Sequence, residues 1–155
     1  MHAAKTVINQ LSDSDRLSLV TYHDHAKVEL TCSLMTPSNK QMAKALVDGL
    51  CPLSCTNLWD GLDKAMQVIK NSQKLTAGLA TSILLLTDGC PNVVPPRGHL
   101  PMLQRFQDEN PSLVFSLNTF GFGYSLMSKL LMDLASVGGG TYSFIPDSGF
   151  VGTGK

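Results

Sequence analysis

The stretch that most constrains this chain is Ala80 to Gly89, A-T-S-I-L-L-L-T-D-G. Ile83 to Leu86 form a continuous apolar run that ends abruptly in Thr87, Asp88 and Gly89. A run of that length closed by a turn signal predicts a strand buried on both faces of a parallel sheet, being too short for a buried helix. Open α/β sheets bind ligands outside the carboxyl ends of their strands. Asp88, at such an end, is therefore the first residue to consider for chemistry.

Around this run, helical and strand patterns alternate. Val7, Ile8 and Leu11 mark a helix over Ala3 to Leu11. Arg16 to Tyr22 alternates, with Leu17, Leu19 and Tyr22 set against Ser18 and Thr21, and predicts a strand. Across the turn His23-Asp24-His25, Ala26 to Leu34 returns as a second strand, making an edge hairpin. Thr36-Pro37 starts a helix carrying Met42, Ala43, Leu46 and Val47. Leu58, Leu62, Ala65, Met66 and Ile69 mark another, from Asn57 to near Ser72. After the central strand come a helix at His99 to Asp108, a strand at Leu113 to Phe120 and a glycine loop, Gly121-Phe122-Gly123. A helix over Leu126 to Val137 turns Leu130, Leu131 and Leu134 inward. Gly138-Gly139-Gly140 closes it, and Thr141 to Ile145 is the last strand. The pattern implies right-handed crossovers and one doubly wound α/β domain over residues 1–155, without repeats or linkers.

Composition narrows the function. Twelve basic residues balance twelve acidic ones, so neither nucleic acid nor an anionic membrane is the expected partner. No apolar run approaches the roughly 18 residues of a membrane span, and no signal-peptide core opens the chain. A cytoplasmic location and free thiols at Cys32, Cys51, Cys55 and Cys90 are the matching expectations.

Two segments are predicted to meet at the carboxyl rim: Ser54-Cys55-Thr56-Asn57-Leu58 and Leu86-Thr87-Asp88-Gly89. The Thr56 hydroxyl and the Asp88 carboxylate are hard oxygen donors of the type Mg²⁺ prefers. The plain structural reading stands beside this one: Thr56 caps the following helix, and Asp88 closes a turn before Gly89. Trp59 beside them is either a core anchor or a rim contact.

Four pieces in this order resemble a von Willebrand factor type A domain. They are D-R-L-S-L-V-T-Y at Asp15 to Tyr22, T-N-L-W-D-G-L at Thr56 to Leu62, I-L-L-L-T-D-G at Ile83 to Gly89, and G-G-T-Y-S-F at Gly139 to Phe144. The resemblance implies a Rossmann-like, mostly parallel sheet with helices on both faces and an antiparallel edge hairpin. It also implies a metal-ion-dependent adhesion site, where a D-x-S-x-S motif, a threonine and an aspartate surround a divalent cation. A protein partner supplies an acidic residue to the ion. Thr56 matches the threonine and Asp88 the aspartate. D-x-S-x-S occurs nowhere in this sequence, and Asp13-Ser14-Asp15 lies too late to replace it. The resemblance is to a domain truncated at both ends, lacking the first, central strand between the hairpin and the Ile83 strand. A non-enzymatic interaction module with weak or no Mg²⁺ affinity by itself is the resulting expectation. A metal-independent scaffold or a non-functional fragment is the alternative.

Rival signals are thinner. Gly149 to Lys155, G-F-V-G-T-G-K, has phosphate-loop spacing but neither the following hydroxyl nor a helix. His23, His25, Cys51, Cys55 and Cys90 lack the local spacing of a zinc site. Gly123-Tyr124-Ser125 lacks the second glycine of a nucleophile elbow, and Asp147-Ser148-Gly149 lacks a facing second carboxylate. The Leu126 to Met132 apolar run is read as core.

Overall fold

In a computed structural model, residues 2–22, 25–49, 57–87, 95, 97–122 and 128–145 are described. The chain runs α1 (His2–Gln10), β1 (Arg16–Tyr22), β2 (Ala26–Leu34), α2 (Pro37–Asp48), α3 (Leu58–Asn71), β3 (Ser82–Thr87), α4 (His99–Glu109), β4 (Ser116–Phe122), α5 (Ser128–Val137) and β5 (Gly139–Ile145). No described helix is long and apolar enough to cross a membrane.

Local chemistry sets most boundaries. Thr36 caps α2 through its hydroxyl, which accepts from the Asn39 N–H at 3.3 Å, and Pro37 sits in the first turn where its missing N–H costs nothing. Asn57 caps α3 by accepting the Asp60 N–H at 3.1 Å. The cap is therefore Asn57, one residue beyond the Thr56 of the plain structural reading. At the end of α5, Gly139 takes φ +75°, a conformation glycine adopts without strain, and β5 starts there rather than at Thr141.

The strands form two sheets. β1 and β2 make an antiparallel pair, while β3, β4 and β5 are parallel in that order. The hairpin is bulged between Leu17 and Leu19. There Cys32 turns to φ 42° and its N–H bonds the Ser18 hydroxyl at 2.7 Å instead of a strand carbonyl. β4 begins later than Leu113 and runs through Gly121 and Phe122, residues whose glycine content reads as loop. Their pairing with Thr87 and Ile145 across the parallel ladders holds them extended.

Helices pack against both sheets. The larger core gathers Leu58, Leu62 and Met66 of α3, Ile83 and Leu85 of β3, Leu103 and Phe106 of α4, Leu117 of β4, and Leu131 and Leu134 of α5. Thr119, fully buried, donates to the Leu131 carbonyl at 2.9 Å and locks β4 to α5. A smaller core, Ile8, Met35, Ala43 and Val47 with Leu11, Leu17, Leu19 and Leu30 against it, joins α1 and α2 to the hairpin.

β3 corrects one expectation. Its burial alternates: Ile83, Leu85 and Thr87 are buried, but Ser82 is exposed and Leu84 is 38% exposed. The run is fully buried only on the face of Ile83 and Leu85, which share one core with α3, α4 and α5, while Leu86 on the other face is half-buried.

Candidate functional site

The carboxyl rim is assembled by Tyr22, the last residue of β1. Its hydroxyl donates to the Leu86 carbonyl of β3 at 3.0 Å, a bond linking residues 64 apart in sequence. Its ring lies against the first turn of α3 at Gly61. A Cβ built on Gly61 would stand 2.7 Å from Tyr22 Cδ1, so only glycine admits this approach. Tyr22 thus touches the start of α3 and the end of β3 at once.

Asp60 fixes the same corner from the other side. Its carboxylate accepts the Ala26 N–H of β2 at 2.6 Å while its own N–H is held by the Asn57 cap. A carboxylate in the first helical turn also complements the partial positive charge there. One helix start therefore clamps both strands of the hairpin. Trp59, half-buried, packs against the larger core, which settles it as a core contact.

On the α4 side of the rim, His99 is 6% exposed and its Nε2 has no hydrogen-bond partner among the described residues. Burial holds its pKa below the ordinary value, since an imidazolium there would lose its hydration without compensation. His99 is thus neutral near pH 7 and unsuited to binding an anion by charge.

Thr56 and Asp88, the two residues expected to hold a cation, lie outside the described residues, as do the loop residues 50–56, 88–94 and 123–127. So do Cys51, Cys55, Cys90, His23, Asp24, Tyr124, Ser125 and the terminal G-F-V-G-T-G-K. Their immediate neighbours are described. Asn57 follows Thr56 and Thr87 precedes Asp88, and the Tyr22 contacts at Gly61 and Leu86 bring these two chain segments to one rim. Two oxygens of the described residues there are engaged: Asn57 Oδ1 caps Asp60, and Asp60 Oδ2 holds Ala26. Among the described residues, no group of three or more His, Cys, Asp or Glu side chains converges as a metal site.

Sequence reasoning passed over Tyr22 and Asp60. Tyr22 sat in a strand pattern and Asp60 on a helix, and neither pattern encodes a partner across the fold. The D-G pair at Asp60-Gly61 within a helical stripe was the available signal, because glycine in a helix interior costs about 1 kcal/mol against alanine and needs a packing reason.

Comparison with known proteins places the whole chain. The model of the von Willebrand factor type A domain matches residues 1–152. Human inter-alpha-trypsin inhibitor heavy chain H4 is 30% identical over 141 residues, 86% of this chain and 15% of that protein. A probable E3 ubiquitin-protein ligase of Arabidopsis thaliana, WAVH2, is 31% identical over 93 residues, 57% of this chain and 13% of its own length. The chain thus spans well under a quarter of either curated relative. Among solved structures, a von Willebrand factor type A protein from Catenulispora acidiphila superposes with a TM-score of 0.80 at 21% identity, covering 98% of this chain and 34% of that one. Proximal thread matrix protein 1 of the mussel byssus, in a structure with a zinc-occupied MIDAS motif, gives 0.63 at 16% identity, covering 90% and 34%. These structural likenesses speak for the fold. With the family model spanning nearly every residue, the chain belongs to the von Willebrand factor type A domain family, a family of protein-interaction modules.

Proposed function

We propose that the chain is a non-enzymatic protein-interaction module that meets its partner at the carboxyl rim, with Thr56 and Asp88 as the residues that would hold a divalent cation. The observation that carries this reading is the Tyr22 contact pair, which draws the segments flanking Thr56 and Asp88 to one edge of the fold. A hydroxyl and a carboxylate suit Mg²⁺, which keeps several waters and needs few protein oxygens. Two donors make a poor cage, however, and Asn57 and Asp60 spend oxygens on backbone amides. Affinity of the chain alone for Mg²⁺ is therefore weak, and a partner's Glu or Asp completes the site. A bound ion would supply a Lewis-acidic position for that carboxylate. The chain's own residues shape the rim around it.

Calorimetric titration of a glutamate-containing hexapeptide, with and without millimolar Mg²⁺, tests the reading. Binding should need Mg²⁺ and vanish in Asp88→Ala and Thr56→Ala. Peptide binding that survives chelator would replace it with a metal-independent scaffold. A strong Mg²⁺ thermal shift without peptide, lost in Asp88→Ala, would overturn the predicted weakness of the ion.

A further inference from the structure

The end of the sheet opposite the carboxyl rim carries the three most exposed large apolar side chains among the described residues. Leu75 and Leu79, in the connection from α3 to β3, are 55% and 56% exposed, and Val114, in the connection from α4 to β4, is 82% exposed. The Ser116 N–H donates to the Thr81 carbonyl at 3.1 Å and holds the two connections side by side. Between them runs an open groove of about 220 Å³, lined by Ile69, Leu79, Leu113 and Val114 with Gln73 and Ser112 beside them. A single exposed leucine on a surface is ordinary, whereas several gathered from two segments around one groove mark a surface that meets something.

The two walls of the groove carry opposite charge. On the α3 wall Lys70 and Lys74 are exposed, and the sequence has no acidic residue between Asp63 and Asp88. On the α4 wall Asp108 and Glu109 end the helix just before Ser112. Arg105 neutralises Glu109 at 3.1 Å, which leaves the Asp108 carboxylate as the excess charge on that wall. Among the described residues, Lys70, Lys74 and Asp108 form no ion pair, so the walls do not cancel within one chain.

A two-fold axis through the groove lays each wall on the opposite wall of a second copy. Lys70 and Lys74 of one copy then face Asp108 of the other, twice over, while Leu79 and Val114 of both copies cover one another. The surface is its own electrostatic complement. We propose that this groove is a self-association surface, occupied by a second copy of the chain in a two-fold dimer with Lys74 of each copy against Asp108 of the other. A groove this size with three exposed apolar side chains falls short of the roughly 800 Å² per partner of a standard interface. The dimer is accordingly weak, with Kd on the order of 0.1 mM. It is independent of the rim reading, since β3 and β5 end at the carboxyl edge, the far end of the fold from this groove.

Sedimentation equilibrium of the full chain in EDTA, which keeps metal out of the comparison, tests the proposal. Between about 10 µM and 1 mM the chain should pass from monomer to dimer. Methyl NMR signals of Leu75, Leu79 and Val114 should shift with concentration, while that of Met42 on α2 stays still. Lys74→Asp and Asp108→Lys, each alone, should raise Kd about tenfold, because two attractive pairs become two repulsive ones. Mixing the two variants should restore the original affinity, since each reversed charge then meets its opposite. A chain that stays monomeric throughout would overturn the proposal, leaving the groove to another protein or to further residues of this one. Dimerisation that ignores both charge reversals, or that mixing does not restore, would overturn it as well. Association through the open strand edges would behave in that way.

Discussion

The two halves of this molecule are held together differently. In the β3–β4–β5 half, ten buried apolar residues from three helices and two strands lock into one core, and the strands are joined by parallel ladders, the β4–β5 one shifted in register between Leu117 and Thr119. In the hairpin half, four buried residues join α1, α2 and two strands. Between the halves no ladder runs among the described strands. The connection is α3, the Tyr22 hydroxyl on Leu86 and the Asp60 carboxylate on Ala26. A sheet joined along its length resists shear at every rung. Here a few side-chain bonds at one rim do that work, so single substitutions at the joint should separate what substitutions elsewhere leave together.

The largest effect belongs to the core that both halves share through α3. Leu62 is fully buried, and Leu62→Ala should cost about 2–5 kcal/mol in urea unfolding by emptying a methyl-lined space. Gly61→Ala comes next. Its methyl meets the Tyr22 ring at 2.7 Å, and displacing that ring should cost about 1–3 kcal/mol and speed exchange in β1 and β2 more than in β4. If exchange rose equally in both halves, the joint would not be local to Tyr22.

Asp60→Ala and Tyr22→Phe probe the two hydrogen bonds. Removing the charged acceptor of the Ala26 N–H should cost about 1.5–3 kcal/mol, and losing the Tyr22 hydroxyl about 0.5–1.5 kcal/mol. Circular dichroism with urea reads both. The ordering matters more than the size, because Asp60 restrains a backbone amide whereas Tyr22 bridges a gap.

His99 should give a pH signature confined to the larger half. Its folded pKa lies below the ordinary 6.5 through burial. The unfolded chain therefore takes up the proton first, and stability falls as pH drops from about 6.5 toward the lowered folded value. Thermal unfolding between pH 8 and 5 should show that slope, and His99→Leu should flatten it. The smallest effect is at Asp48, whose exposed carboxylate meets Lys5 at 2.6 Å and is held below its ordinary pKa mainly by that hydrogen bond. Asp48→Asn should lower Tm only slightly and only at low salt.

Much of this was legible in the sequence, for physical reasons that also mark where legibility stops. Helix stripes and the Thr36-Pro37 start are local signals, so α2 and α3 fall where their patterns put them. Family membership, too, was carried by four short pieces in fixed order. Pairing is not local. Nothing in Arg16 to Tyr22 encodes that its last side chain reaches the Leu86 carbonyl of β3. Gly121 and Phe122 read as loop because glycine lacks strand propensity, yet two flanking ladders hold them extended. The Ile83 to Leu86 run read as buried on both faces because four apolar residues fit that case, but Leu84 is 38% exposed and Leu86 only half-buried. At the rim, Thr56 read as the cap by residue type, and the geometry of the first turn puts the cap at Asn57 instead. Thr56 and Asp88 remain the proposed ion-holding pair on resemblance and on the nearness of their neighbours.

Residue-resolved amide exchange along β3 tests the central claim most directly, since one strand contains both kinds of edge. With no ligand present, Ile83, Leu85 and Thr87 should exchange slowly through their bonds to β4, while Leu84 and Leu86 exchange at least tenfold faster, as open-edge amides do. Uniform protection from Ser82 to Thr87 would contradict the account, because it would mean that the edge opposite β4 is already paired.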